Sequence, residues 1–265
     1  MNAALSKQQC ERYAQEGIVS PVPALSKAQA AYYCEAIELF ERQHAVVAGE
    51  VIRNKGHLKC LALYELIHHR AILDPVQSLL GPDLLCWGSS LFIKEPHDPG
   101  FVAWHQDAYY WGLEPDDVVT AWIAFAPSTL ENGAMQVIPG THRSANMAHV
   151  ASATDSANML FTNEELAEPV DEKKAVDLVL EQGEMSLHHV KLLHGSPPNR
   201  SSARRYGFAI RYVAPHVKQR DNRDSATLVR GHDSFGNFKA DPVPTRDLEP
   251  DIVAFVDAPM GARPR

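Results

Sequence analysis

Up to about residue 83 the apolar positions recur at helical spacing; beyond it they come in short runs broken by turn residues. Two helix starts are written near the N-terminus. Ser6 with Gln9, and Ser26 with Gln29, have capping-box spacing, in which each side chain satisfies a free backbone N–H of the first turn. The second helix is predicted from about 27 to 48, with Tyr33, Ile37 and Phe40 on one buried face and Gly49 as its stop. Asp74-Pro75 predicts a further short helix with proline at its first position, closed by Gly81-Pro82.

After residue 83 the runs are LLCWGSSLFI (84–93), VVTAWIAFA (118–126), MQVI (135–138), AVDLVL (175–180), MSLHHVKLL (185–193) and YGFAIRYV (206–213). They are rich in β-branched and aromatic residues and separated by Pro, Gly, Asn and Asp, as strands are. Their spacing predicts an antiparallel sandwich or barrel rather than repeating βαβ units. The polar segment 141–174 reads as an inserted loop with a short helix at 162–168, and such insertions are often active-site lids. The expected architecture is one α+β domain. A mainly helical layer (1–83) packs on a jelly-roll core (84–213), and a wrapping tail (214–265) covers the outside.

Composition narrows the partners. The 265 residues are 45% hydrophobic and 22% charged, which suits a globular domain with a sizeable core. A net charge of -8 argues against nucleic acid and against an anionic membrane surface. The four cysteines, Cys10, Cys34, Cys60 and Cys86, are widely spaced and form no metal motif. Cys34 and Cys86 lie in apolar settings and read as small core residues. The N-terminal MNAALSKQQC has no basic region followed by an apolar run, so no signal peptide is expected. AWIAFA (121–126) is too short to span a bilayer. A cytoplasmic chain is expected.

The candidate chemistry centres on WHQDAYYW, residues 104–111. On a strand, His105 and Asp107 share a face and Gln106 turns away. With one more histidine they would make the two-histidine, one-carboxylate set of non-haem Fe(II) oxygenases. An H-x-D alone is a weak signal among 13 histidines. LLHGSPPNRSSARRYGF (192–208) strengthens it: His194 ends an apolar run, and Arg205 opens the next strand eleven residues on. A buried arginine needs an anion, and a dicarboxylate co-substrate supplies one with the planar geometry arginine favours. His188 and His189 are rivals to His194, and Arg204 to Arg205; strand neighbours face opposite ways, so only one of each adjacent pair can face a cavity. Tyr109, Tyr110 and Trp111 fit either core packing or a substrate wall. His142 and Arg143 read as structural or solvated, and His57, His68 and His69 as surface histidines.

Taken in order, H-x-D, an apolar strand with Trp122, ENGAMQVIPGTH (131–142), LLHGSPPNRS (192–201) and Arg205 resemble the phytanoyl-CoA dioxygenase family over roughly residues 84–213. The tail segment LVRGHDSFGNF (228–238) also resembles bacterial members. The resemblance implies a double-stranded β-helix with Fe(II) on His105, Asp107 and His194. It further implies 2-oxoglutarate on Arg205, with Lys94 and Trp122 as further co-substrate positions. The implied reaction consumes O2, releases succinate and CO2, and hydroxylates a small molecule. Because Asp107 is present, it favours hydroxylation over halogenation. A non-catalytic jelly-roll binding protein and a cupin-type metal enzyme without 2-oxoglutarate are the other readings.

Overall fold

The computed structural model describes residues 4–151, 157–160, 164–220 and 224–258; the expectations for 162 and 163 lie outside them. Among the described residues, a large sheet has the order β1 (Ile18–Pro23), β10 (Glu184–His189), β5 (Val118–Ala124), β12 (Arg205–Val213), β2 (Leu84–Lys94), β14 (Ser225–Arg230), β15 (Lys239–Ala240). A smaller sheet runs β3 (Val102–His105), β11 (His194–Ser196), β6 (Met135–Val137), β9 (Val176–Leu178). Two short pairs complete the strands, β13 (Lys218–Gln219) with β4 (Leu113–Glu114), and β7 (His149–Ala151) with β8 (Glu164–Leu166). The helices are α1 (Lys7–Glu16), α2 (Lys27–His44), α3 (Ala48–Val51), α4 (Gly56–Lys59), α5 (Leu61–Leu66), α6 (Arg70–Leu80), α7 (Ala108–Trp111) and α8 (Pro250–Asp257). Helix and large antiparallel sheet together give the expected α+β class.

Alternation along β12 explains how the layers stack. Tyr206, Phe208, Ile210 and Tyr212 join a core built with Tyr33, Ile37, Phe40, Leu63 and Leu66 of the helices. The intervening Arg205, Ala209 and Arg211 line a cavity against the smaller sheet. The same period runs through β5, where Ile123 faces the helices while Thr120 and Trp122 line the cavity. Strand alternation thus gives each central strand an apolar face for folding and a mixed face for chemistry.

Both capping boxes form at Ser6 and Ser26. Several boundaries differ from expectation. α2 stops at His44 with Ala45 in a left-handed cap, and Gly49 lies inside the short α3 instead of ending α2. α6 begins five residues before Pro75, where the His69 side chain accepts from the Ala71 N–H and caps it. Residues 164–166, expected as helix, form β8 paired with β7. The tail, expected to wrap the outside, adds β14 to the large sheet and sends Asp241 into the interior. There the Lys55 Nζ donates to the carbonyls of Trp87 (2.8 Å) and Ser225 (2.7 Å) and lies 3.3 Å from Asp241. His57, expected at the surface, is fully buried and lies 3.6 Å from the same carboxylate. No helix of the described residues is long and apolar enough to cross a membrane.

Candidate metal and co-substrate site

Sheet register brings the histidines together. β3 and β11 run antiparallel with His105 opposite His194, and the two ring centroids are 4.1 Å apart. Asp107 departs from the strand expectation. β3 ends at His105, and Asp107 has helical backbone angles at the start of α7. The tight turn still carries its carboxylate to 3.5 Å from the His105 Nε2. Ligand atoms from His105, Asp107 and His194 all lie within 4.8 Å of one another, and all three residues are buried. Gln106 turns away as expected. Its amide donates to the Lys191 carbonyl (2.8 Å) and accepts from the Met147 N–H (2.8 Å), tying the inserted segment to the site.

Backbone contacts fix both rings. The Nδ1 of His105 lies 2.9 Å from the Ala103 carbonyl, and that of His194 lies 2.9 Å from the Leu192 carbonyl. A carbonyl only accepts, so each Nδ1 carries the proton and each Nε2 keeps its lone pair. Burial holds the His194 imidazole well below its ordinary pKa, and the nearby His105 adds to this, so the ring stays neutral. Burial raises the Asp107 carboxyl. The neighbouring His105, then His194 and Arg211, outweigh that and hold it ionised.

Arg205 opens β12 and is 2% exposed. It donates to the carbonyl of Gly133, and its guanidinium lies 5.5 Å from the centre of the Trp122 ring. Gly133 holds φ +77°, and a Cβ there would strike the Pro197 carbonyl, which accounts for glycine in the Asn132-Gly133 turn. Burial lowers the Arg205 pKa to about 10, so it remains a cation. Arg204 faces the other way, onto Glu41 (2.8 Å) and Glu95 (2.7 Å).

A cavity of about 430 Å³ joins these groups. Its lining includes the three clustered residues, Arg205 and Trp122, as expected. Tyr110 and Trp111 line it too. Tyr109 does not: it is 43% exposed and stacks on His149 outside, with centroids 4.2 Å apart. Lys94, the register partner of Arg205, also lies outside the lining. It donates to Ser196 Oγ (2.7 Å) and to the Pro197 carbonyl. Burial, then the neighbouring Arg205 charge, lowers its pKa to about 6. Of the rival histidines, His188 faces the cavity, 4.9 Å from the His194 ring, while His189 turns to His142 and Tyr13. Sequence reasoning passed over Ser90 and Thr120, while Arg211, six residues along β12 from Arg205, shares its face by the period of two.

A sequence model of the phytanoyl-CoA dioxygenase (PhyH) family matches residues 2–207. The chain belongs to this family. Among curated proteins it is 31% identical over 158 residues to a probable alpha-ketoglutarate-dependent hypophosphite dioxygenase of Stutzerimonas stutzeri, covering 60% of this chain and 55% of that one. The chain spans about half the length of the curated relatives it matches. Among solved structures it resembles the non-heme monooxygenase ThoJ in its apo form, with TM-score 0.81, 35% identity and 92% of each chain covered. CytC3 with Fe(II) and alpha-ketoglutarate follows at TM-score 0.67 and 25% identity, covering 91% of this chain and 94% of that one. The jelly-roll core expected from the strand pattern is the core these neighbours share.

Proposed function

We infer that this PhyH-family chain is an Fe(II)- and 2-oxoglutarate-dependent oxygenase that hydroxylates an unactivated C–H bond of a small or medium metabolite, releasing succinate and CO2. The observation that carries this reading is the buried donor set of His105, Asp107 and His194, with both Nε2 lone pairs fixed toward it. The donors fit the metal: two imidazoles and one carboxylate on one side suit non-haem Fe(II) and leave positions open on the other. Iron bound there supplies O2 activation coupled to decarboxylation of 2-oxoglutarate.

The chain's own contribution is placement. The carbonyls of Ala103 and Leu192 stop the two rings from rotating, which preserves ligand direction. Arg205 suits the far carboxylate of 2-oxoglutarate: it is buried, it keeps an unused Nε–H, and no carboxylate of the described residues pairs with it. Trp122 walls the same end. Asp107 occupies the ligand position that a halide would need, which supports hydroxylation. Four free cysteines support a reducing cytoplasm.

The direct test adds Fe(II), then 2-oxoglutarate, to metal-free protein without oxygen. A visible charge-transfer band that needs both components is expected. Iron binding without the band would mean a metal enzyme that does not use 2-oxoglutarate. No iron binding would leave a binding protein on an oxygenase frame.

A further inference from the structure

The cavity has a second pole of positive charge. Register across the large sheet puts His188 of β10, Thr120 of β5, Arg211 of β12 and Gly88 of β2 in one transverse row. Arg211 shares the cavity face of β12 with Arg205 but lies six residues farther along it. Its Nη1 donates to Ser90 Oγ (2.6 Å), and its guanidinium lies 5.4 Å from the centre of the Trp111 ring. Gly88, beside it, adds no side chain to fill the space.

Polar atoms in this row are left unused. The Nε of Arg211, the Oγ1 of Thr120 and the Nδ1 of His188 are buried without a hydrogen-bond partner among the described residues. Thr120 and His188 are each only 2% exposed. Buried polar atoms are normally satisfied, so a cluster of orphans facing one cavity marks a missing ligand.

Charge balance points the same way. Several other buried or half-buried cations meet carboxylates: Lys55 meets Asp241, Lys59 meets Asp257, Arg204 meets Glu41 and Arg230 meets Asp74. No ion pair of the described residues involves Arg211. Burial lowers the Arg211 pKa, and the negative charge of Asp107 offsets part of that. In the loaded site that charge is committed. Asp107 would answer the charge of Fe(II) together with 2-oxoglutarate, and Arg205 would hold the far carboxylate of that co-substrate. Asp224, the other carboxylate of the lining, lies 3.7 Å from Lys55, so Arg211 would keep a charge that no ion pair of the described residues answers, which is expensive inside a protein.

We propose that Arg211 anchors the anionic head of the substrate, so that the substrate class is an organic acid with a carboxylate or phosphonate group. The inference rests on the metal and co-substrate reading above. The head lies in the fork of Arg211, whose unused Nε–H gives the two-pronged geometry that such oxyanions favour. Thr120 and His188 flank it. The body lies along Trp87, Met159 and Leu160, apolar surfaces of the same cavity.

The test uses three chain-matched probes, octanoate, heptylphosphonate and octanamide. Calorimetry measures each on oxygen-free protein loaded with Fe(II) and saturating 2-oxoglutarate, which keeps the probes off Arg205. The same titrations are run on metal-free protein. At least one acid is expected to bind tenfold or more tighter than the amide, and the tighter of the two acids identifies the head group. In Arg211→Gln the preference disappears while the 2-oxoglutarate band persists; Arg211→Lys restores part of the preference. Equal binding of amide and acids, no binding of either acid, or a preference that survives Arg211→Gln would overturn the proposal. So would loss of iron or 2-oxoglutarate binding in Arg211→Gln, which would make Arg211 a support for Asp107. If wild-type protein forms no charge-transfer band, the co-substrate reading fails by itself, and the metal-free titrations of wild type, Arg205→Gln and Arg211→Gln still decide whether an anion preference belongs to Arg211.

Discussion

Replacing Arg205 by alanine removes a cation but leaves all three clustered donors in place. Losing one partner of a buried charge pair costs about 2–5 kcal/mol, so 2-oxoglutarate affinity should fall by roughly thirtyfold or more. Iron affinity should hardly change, and the charge-transfer titration reads both. Gly207 is a second sensitive point. A Cβ there would run into the Trp122 ring, which backs Arg205. Gly207→Ala should cost about 1–3 kcal/mol in a urea melt and also weaken 2-oxoglutarate binding. His189 carries a pH effect. Its Nδ1 accepts the Lys191 N–H (3.1 Å), which protonation would prevent. Burial, then His142, lowers its pKa to about 4, below the ordinary 6.5. The unfolded chain therefore binds the proton first, and folding stability is full above pH 6.5 and falls as the pH drops toward 4. The loss from this residue is at most about 3 kcal/mol. His189→Asn, which keeps an acceptor, should narrow the gap between urea midpoints at pH 7.5 and 4.5; an unchanged gap would assign the acid sensitivity elsewhere.

At the scale of elements, alternation made β2, β5 and β12 legible, because one face of each is apolar for packing. It also ordered the candidate site: the register that pairs His105 with His194 follows from β3 and β11 lying side by side. Asp107 was placed on a strand because H-x-D fits a period of two, yet the chain turns into α7 there. The end of α2 and the start of α6 were misread because capping by Ala45 and His69 carries little sequence signal. β14 was missed because its partner, β2, lies about 140 residues earlier, and only tertiary pairing reveals it. That tail has a function in the fold. Asp241 neutralises the buried Lys55 and lies against His57. Asp241→Ala removes the nearer of two buried carboxylates from Lys55, leaving Asp224 at 3.7 Å, and should cost up to about 3–5 kcal/mol in a denaturant melt, whereas an exposed pair such as Arg220 with Glu114 should cost under about 1 kcal/mol.

For the whole molecule, net charge and local charge tell different stories. The chain carries -8 overall, yet Arg53, Arg205 and Arg211 all line one cavity. Composition excluded nucleic acid as an expected partner but hid the cationic interior, because a sum over the chain has no positions in it. The large sheet divides the work more clearly. Positions 206, 208, 210 and 212 hold the helical layer, while 90, 120, 188 and 211 face open space. Evolution can therefore edit the two sets separately. Random replacement at 90, 120, 188 and 211 should leave most variants soluble and cooperatively folded, and replacement at the first set should not; soluble yields of the two libraries measure the difference. A lineage built on this sheet can drift from one substrate to another through many viable intermediates, since the residues that choose what is bound are not those that keep the chain folded.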